Sequence, residues 1–264
     1  MKSKILLIAT TLLLLPDVYA LTPEEKGLEI AKEADRRDTG WDDFTANMTM
    51  KLYNKQGQSS ERFMKSRSLE GKDDGDKTII VFNRPKDVKG TALLSFTHKV
   101  EPDDQWLYLP ALKRVKRIAS RNKSGPFVGS EYAFEDLASQ EVEKYTYKYL
   151  KDDACGEHAK DQTCYVNERD PVDEYSGYTV QHVWVDQAEY RPQKIDFYDR
   201  KGSLLKTLTF YGYQQYLGQY WRADRLMMIN HQTGKKTELT WKDYQFRTGL
   251  KDSDFNKNSL KRAR

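Results

Sequence analysis

Residues 44–69 read FTANMTMKLYNKQGQSSERFMKSRSL, and their pattern decides the fold. Apolar and polar residues alternate from Phe44 to Tyr53 and again from Arg62 to Leu69, which is the period of a half-buried β-strand. The polar stretch Asn54–Gly57 between the two runs carries a turn signal. These residues therefore predict a β-hairpin that buries one face.

The same pattern of short apolar runs separated by turns continues along the chain. The further candidate strands are Thr78–Phe82, Thr91–Phe96, Gln105–Leu109, Lys113–Ala119, Tyr178–Val185, Pro192–Tyr198, Leu204–Tyr213, Tyr220–Asn230 and Lys236–Phe246. Together they predict one antiparallel sheet of about ten strands, a size at which open sheets tend to curl. We expect a mainly β (α+β) fold in which helices cover the concave apolar face.

Three segments depart from the strand pattern. Thr22–Glu25 combines an N-cap threonine, a proline at the first helical position and a capping-box glutamate, which predicts a helix that runs to about Arg37. Gly129–Glu143 has the pattern of a short amphipathic helix in the middle of the sheet. Asp252–Leu260 is predicted as a short terminal coil or turn.

The N-terminus has the three parts of a secretory signal peptide. Lys2 and Lys4 precede the apolar run Ile5–Val18, and the small residue Ala20 follows it. The run is short for a membrane-spanning helix, so an uncleaved anchor is the less favoured alternative. We expect cleavage after Ala20, which divides the chain into a signal peptide at 1–20 and a single domain at 21–264 and places the mature protein in the periplasm.

The overall composition excludes two classes of protein. The 264 residues carry a formal net charge of +4, which is too weakly basic to indicate a nucleic-acid binder. Hydrophobic residues make up 38% of the chain, a fraction too high for a disordered protein.

The two cysteines, Cys155 and Cys164, lie close together in the sequence. In an oxidising compartment an even number of cysteines usually forms disulfides, so we predict a bridge between them. A metal site that also uses His158 is the alternative, but zinc needs three or four ligands and no other histidine or cysteine lies nearby.

A search for catalytic and metal-binding motifs yields little. The four histidines are scattered along the chain at His98, His158, His182 and His231, without metal-ligand spacing. No G-x-S-x-G nucleophile motif is present. The sequence therefore predicts a binding protein with no metal and no cofactor, and a hydrolase on the same fold is the less favoured alternative.

A basic run is formed by Lys113, Arg114, Lys116 and Arg117. One interpretation is a patch that binds anionic head groups or an acidic partner protein. The other is a solvated strand whose charges prevent edge-to-edge aggregation.

Several predicted strands are apolar on both faces, among them Thr78–Phe82, Gln105–Leu109 and Leu226–Ile229. A sheet with one face in water should alternate cleanly. Either both faces are buried by the protein itself, or one face offers an apolar lining to a ligand. Met227 and Met228 slightly favour a ligand, because flexible thioethers suit irregular apolar guests.

Three blocks together resemble a known family. They are QWLYLPALKRVKRI at 105–118, GPFVGSEYAFEDL at 125–137 and YDRKGSLLKTL at 198–208. The stretch GLKDSDF at 249–255, near the C-terminus, also fits the family pattern. As a set they resemble the outer membrane lipoprotein-sorting protein branch of the LolA/LolB-like superfamily. The resemblance spans nearly all of the chain after residue 20.

The resemblance implies an unclosed antiparallel β-barrel whose mouth is plugged by helices. It also implies a non-catalytic periplasmic carrier that binds the acyl chains of a lipid or lipoprotein for transport towards the outer membrane. A transporter of the resistance-nodulation-division (RND) type in the inner membrane is the implied partner, and a periplasmic adaptor of such a transporter is the alternative function. We expect the cavity to be lined by inward-facing apolar residues, namely Leu94, Phe96, Leu107, Leu109, Phe127, Phe134, Leu137, Phe197, Phe210, Met227, Leu239 and Trp241.

Overall fold

The computed structural model describes residues 20–261, so residues 1–19 of the predicted signal peptide lie outside it. The first helix and strands are α1 (Pro23–Arg37), β1 (Asp43–Tyr53), β2 (Ser59–Leu69), β3 (Lys77–Arg84), β4 (Ala92–Phe96), β5 (Asp104–Leu109) and β6 (Arg114–Ile118). They are followed by β7 (Tyr145–Ala154), β8 (Thr163–Pro171), β9 (Tyr178–Asp186), β10 (Pro192–Asp199), β11 (Leu204–Tyr216), β12 (Tyr220–Asn230), β13 (Lys236–Phe246) and α2 (Lys257–Leu260).

The thirteen strands found in residues 20–261 form one sheet in the order β6-β5-β4-β3-β2-β1-β13-β12-β11-β10-β9-β8-β7. Neighbouring strands are antiparallel throughout. The pairing of β1 with β13 joins the two halves of the meander, and β6 and β7 form the two edges. The predicted fold class, a mainly β unclosed antiparallel sheet, is confirmed.

The hairpin of β1 and β2 forms as its alternation predicts. Met48 pairs with Met64 across the two strands, and both side chains are buried together with Met50. The alternate positions Asn47 and Lys65 point to the opposite face and form their own cross-strand pair. Period-2 patterning therefore sets the register, because a slip by one residue would expose the methionines.

Helix α1 begins and docks through local features of its sequence. The Thr22 hydroxyl accepts a hydrogen bond from the Glu25 amide at 3.1 Å, and the Glu25 carboxylate accepts one from the Thr22 amide at 2.8 Å, which confirms the capping box. Gly27 and Ile30 are the buried residues of the helix. The Asn167 side-chain amide on β8 donates to the Gly27 carbonyl at 2.9 Å and so fixes the helix against the sheet.

Gly27→Ala is expected to lower the melting temperature, although alanine is the better helix former by about 1 kcal/mol. An added Cβ would lie 2.7 Å from Asn167 Oδ1 and 2.8 Å from the backbone nitrogens of Lys148 and Tyr149. Overpacking of this kind costs about 1–3 kcal/mol, which outweighs the propensity gain. Thermal unfolding, with Glu29→Ala on the exposed face of α1 as the control, measures the effect. A rise in melting temperature for Gly27→Ala would contradict this docking geometry.

Two strands, β7 and β8, were not predicted from the sequence. Strand β7 lies at the sheet edge, and its alternation at Tyr145, Tyr147 and Tyr149 ends where the pairing with β8 shifts register before Lys151. A disulfide joins Cys155 to Cys164 across the turn between β7 and β8. Closing a loop this short restricts the unfolded chain by roughly 2–3 kcal/mol on the chain-entropy model.

The helix predicted at Gly129–Glu143 is wrong. The structure has three short 3₁₀ turns there instead, at Phe127–Gly129, Phe134–Leu137 and Val142–Lys144. Val128 and Gly129 both have positive φ angles, 46° and 76°, which interrupt a right-handed helix.

The C-terminal segment contains the short helix α2 where the sequence predicted coil or turn. Phe255 and Leu260 pack against the outer face of the sheet, on Ile79, Leu94 and Trp106 among others. Part of the two-sided hydrophobicity therefore has its structural explanation, because β3, β4 and β5 are covered on both faces by the protein itself. Among residues 20–261, no helix has both the length and the apolar character needed to cross a membrane.

Candidate functional site

A cavity of about 1090 Å³ lies between helix α1 and the concave face of the sheet and opens to solvent. Its volume slightly exceeds the usual range of small-molecule pockets, about 300–1,000 Å³. Strands β9 to β13 supply its apolar floor, which we define as Val183, Val185, Ile195, Phe197, Leu208, Phe210, Leu226 and Trp241. Ile30, Ala31 and Ala34 of α1 form the opposite wall.

The other half of the concave face is filled by the chain itself. We call residues 125–137 the plug segment. Its Phe127 and Phe134 are buried and pack edge to face with ring centroids 5.7 Å apart, and Phe127 also packs against Phe82 of β3 at 5.6 Å. Met64 and Leu93 belong to the same core cluster. The cavity is therefore confined to the half of the concave face that the plug segment leaves uncovered.

A buried ion pair anchors the plug segment to the sheet. Lys206 Nζ of β11 lies 2.6 Å from Asp136 Oδ2, and both side chains are only 4% exposed. The Tyr178 hydroxyl and the Ala133 amide also donate to the Asp136 carboxylate, at 2.7 and 2.6 Å. Lys206 donates in addition to the Glu131 carbonyl at 3.1 Å. With its charge balanced and its hydrogen bonds made, this pair fixes where the plug segment ends and the cavity begins.

The neighbouring carboxylate, Glu135, is also held by hydrogen bonds. It accepts from the Ser176 hydroxyl at 2.8 Å and from the Gly177 amide at 2.9 Å. Burial raises the pKa of Glu135 above its ordinary value, and the negative charge of Asp136 adds to this effect. Both carboxylates line the cavity, but their hydrogen-bonding capacity is directed into the protein.

A second polar cluster ties residues 139–141 to the ends of β3 and β4. The Thr97 hydroxyl donates to Glu141 at 2.8 Å, and the Ser139 hydroxyl donates to Asp76 at 2.8 Å. Burial raises the pKa of both Asp76 and Glu141. These contacts hold the chain across one end of the cavity.

The predicted lining residues lie in different environments of the structure. Phe197, Phe210 and Trp241 line the cavity. Leu107, Phe127, Phe134, Leu137 and Leu239 lie on the same side of the sheet but pack in the core that the plug segment completes. Leu109 is partly buried and belongs to neither core cluster.

Three predicted lining residues are wrong by side-chain parity. Leu94 and Phe96 pack in the cluster on the outer face, and Leu93 takes the inward position of β4. Met228 is the fully buried inward residue of β12, so its neighbour Met227 points to the opposite face. The physical reason at β4 is that Ala92–Ser95 is buried on both faces, so alternation carries no information about which face is inside.

Sequence reasoning missed the wall that α1 supplies and five of the eight floor residues. Ile195 and Leu208 could have been found, since each lies two residues from a predicted lining residue on the same strand, Phe197 and Phe210. Ile30 and Ala34 had a weaker signal, because an apolar stripe on a helix does not reveal whether it faces a core or a hollow.

The predicted basic patch lies outside the cavity, on the exposed edge of the sheet. Arg114, Lys116 and Arg117 belong to edge strand β6, and Lys113 directly precedes it. All four side chains are exposed, and Arg117 also pairs with Asp104 at 2.6 Å. Charges on an edge strand discourage pairing with other chains, and this position is compatible with either of the two interpretations of the run.

Known proteins share this architecture. A family model described as that of an uncharacterized protein matches residues 74–262. A domain from Vibrio parahaemolyticus assigned to outer membrane lipoprotein sorting has 58% identity and a TM-score of 0.87, with 90% of this chain and 99% of that chain covered. The comparison with curated proteins finds no match.

Two further solved structures share the fold. A DUF1329 family protein from Desulfovibrio piger has 28% identity and a TM-score of 0.84, over 91% of this chain and 100% of that chain. A LolA superfamily protein from Nitrosomonas europaea has 23% identity and a TM-score of 0.71, over 91% and 100%. The fold is therefore that of a LolA-like protein. The chain belongs to the family of the Vibrio outer membrane lipoprotein-sorting domain, and the family model covers most of it.

Proposed function

We propose that this protein is a non-catalytic periplasmic carrier that holds the acyl chains of a lipid or lipoprotein in its cavity and carries them towards the outer membrane. The cavity between α1 and the apolar floor is the observation that carries the proposal. The Vibrio relative, assigned to outer membrane lipoprotein sorting, supports the direction of transport. The disulfide supports an oxidising compartment, in agreement with the signal peptide expected at 1–20.

The mechanism follows from transfer of apolar surface out of water. Each buried methylene contributes about 0.8 kcal/mol, so a long acyl chain can be held by buried area alone. The floor supplies branched and aromatic side chains, and α1 closes over them. Loading and release then require only a competing apolar site, with no bond made or broken.

A delipidated preparation should take up a fluorescent fatty acid with saturable one-to-one stoichiometry, and unlabelled palmitate should displace the probe. Fluorescence titration measures both. Charge reversal at the basic edge strand, Arg114→Glu with Arg117→Glu, should leave uptake unchanged because these residues lie outside the cavity. Absence of saturable uptake by the wild-type protein would contradict the proposed function.

We expect the basic edge strand to contact the protein or membrane that delivers the acyl ligand or receives it. Its exposed Lys113, Arg114 and Lys116 suit an acidic protein surface or anionic head groups. An RND-type inner-membrane transporter is the partner that the family resemblance suggests, and the same charge-reversal variant should lose such a partner while it keeps its acyl ligand.

A further inference from the structure

Arg169 of β8 is a cavity-lining cation held in a fixed position. Its Nε donates a hydrogen bond to the side-chain oxygen of Gln181 on β9 at 2.9 Å. Its guanidinium carbon lies 4.5 Å from the ring centroid of Tyr145 on β7. Stacking on the ring and the hydrogen bond from Nε together orient the guanidinium plane and leave its terminal nitrogens for another partner.

The other arginines that line the cavity are all paired with carboxylates. Arg36 and Arg37 share Glu33, each at 2.7 Å, Arg191 lies 2.8 Å from Asp186, and Arg222 pairs with Asp38. Arg169 differs from them. Within residues 20–261, no carboxylate oxygen lies within 4.0 Å of its nitrogens, and its hydrogen bond to Gln181 is the one that the structure shows.

A partly buried charge without a counterion is costly, so it marks a place where an anion would be stabilised. The guanidinium fork matches the geometry of carboxylate and phosphate groups. The two carboxylates that the plug segment contributes to the cavity do not compete for it, because Asp136 is paired with Lys206 and Glu135 accepts from Ser176 and Gly177.

Arg169 also borders the apolar floor. Arg169 pairs in register with Gln181 of β9. The floor begins two residues further along β9, at Val183. A ligand whose chain lies on the floor would therefore bring its polar end to the guanidinium. An anionic amphiphile requires this arrangement, in which an apolar surface ends at a positive charge.

We propose that Arg169 binds the anionic head group, a carboxylate or a phosphate, of an acyl amphiphile whose chain lies on the apolar floor. This inference rests on the proposed function and names the chemical class of its ligand. It assigns Arg169 as a specificity-determining residue, since a neutral amphiphile of equal chain length would gain nothing from it.

The test compares three probes of equal chain length: palmitate, palmitoyl lysophosphatidic acid and neutral hexadecanol. Arg169→Gln should weaken binding of the anionic probe that the site recognises by about 10- to 100-fold, the range expected for hydrogen bonds to a charged group. Hexadecanol affinity should be unchanged. Arg169→Lys should recover part of the loss, and Arg225→Gln on the outer face of β12 is the matched control that should change nothing. Thermal unfolding of each variant verifies the fold.

The outcomes separate the two claims. A loss for palmitate alone identifies a carboxylate ligand, and a loss for the lysophosphatidic acid identifies a phosphate; either supports the proposal. Equal weakening of all three probes, or no weakening of any, overturns the role of Arg169 while the carrier function stands. Failure of the wild-type protein to bind any of the three, hexadecanol included, overturns the carrier function and this proposal with it.

Discussion

Replacing Ala34 and Ala223 with tryptophan is expected to abolish most acyl binding and to leave the protein folded. Both alanines line the cavity, one on α1 and the other on β12, and their new indoles would occupy the hollow. If the rings exclude about three methylenes of the ligand, the loss is about 2.4 kcal/mol, or roughly 50-fold in affinity. Titration with a fluorescent fatty acid measures the change.

The matched control is Glu29→Trp, which adds an indole to the exposed face of α1. It should bind the probe like the wild type. Because the added rings enter empty space, the Ala34→Trp and Ala223→Trp double variant should also keep a melting temperature within a few degrees of the wild type. Undiminished binding by a folded double variant would show that the ligand lies elsewhere.

Lys206→Met is expected to destabilise the protein more than any other single change discussed. It leaves the Asp136 carboxylate buried without a counterion, and breaking a buried pair in this way costs about 3–5 kcal/mol. For a domain of this size each kcal/mol shifts the melting temperature by about 2–4 °C, so a fall of roughly 10 °C follows. Thermal unfolding followed by circular dichroism measures it.

The double variant Lys206→Met with Asp136→Asn separates the ion pair from simple packing. It should be less destabilised than the sum of the two single variants, because it leaves no uncompensated charge. Lys194→Met, at a partly exposed ion pair with Asp196 two residues along the same strand, is the control and should cost about 1 kcal/mol or less. Strict additivity of the two single effects would contradict the account of the anchor.

Most of the sheet is predictable from the sequence because its strands alternate. The Met48, Met50 and Met64 positions determine the first hairpin, and comparable runs yield all strands except β7 and β8. Strand β7 alternates at Tyr145, Tyr147 and Tyr149, a signal that the sequence reasoning missed, and the charged residues after Leu150 interrupt the alternation. The plug segment could not be predicted, because its turns depend on contacts such as that of Asp136 with Lys206, seventy residues away.

The cavity is harder to predict than the sheet, because a hollow is a place that no side chain fills. Phe127 and Phe197 have the same apolar character in the sequence, yet one fills the concave face and the other lines the space left open. Only the path of the plug segment distinguishes them. Arg169 carries no local signal either, since its lack of a carboxylate partner is a property of the assembled sheet.

Native mass spectrometry of the protein isolated from the periplasm tests the central claim most directly. The account predicts a population whose mass exceeds that of the polypeptide by one acyl-bearing ligand, with this population lost in the Ala34→Trp and Ala223→Trp double variant. A wild-type protein that is always recovered empty, and that remains empty after incubation with fatty acid or phospholipid, would contradict it.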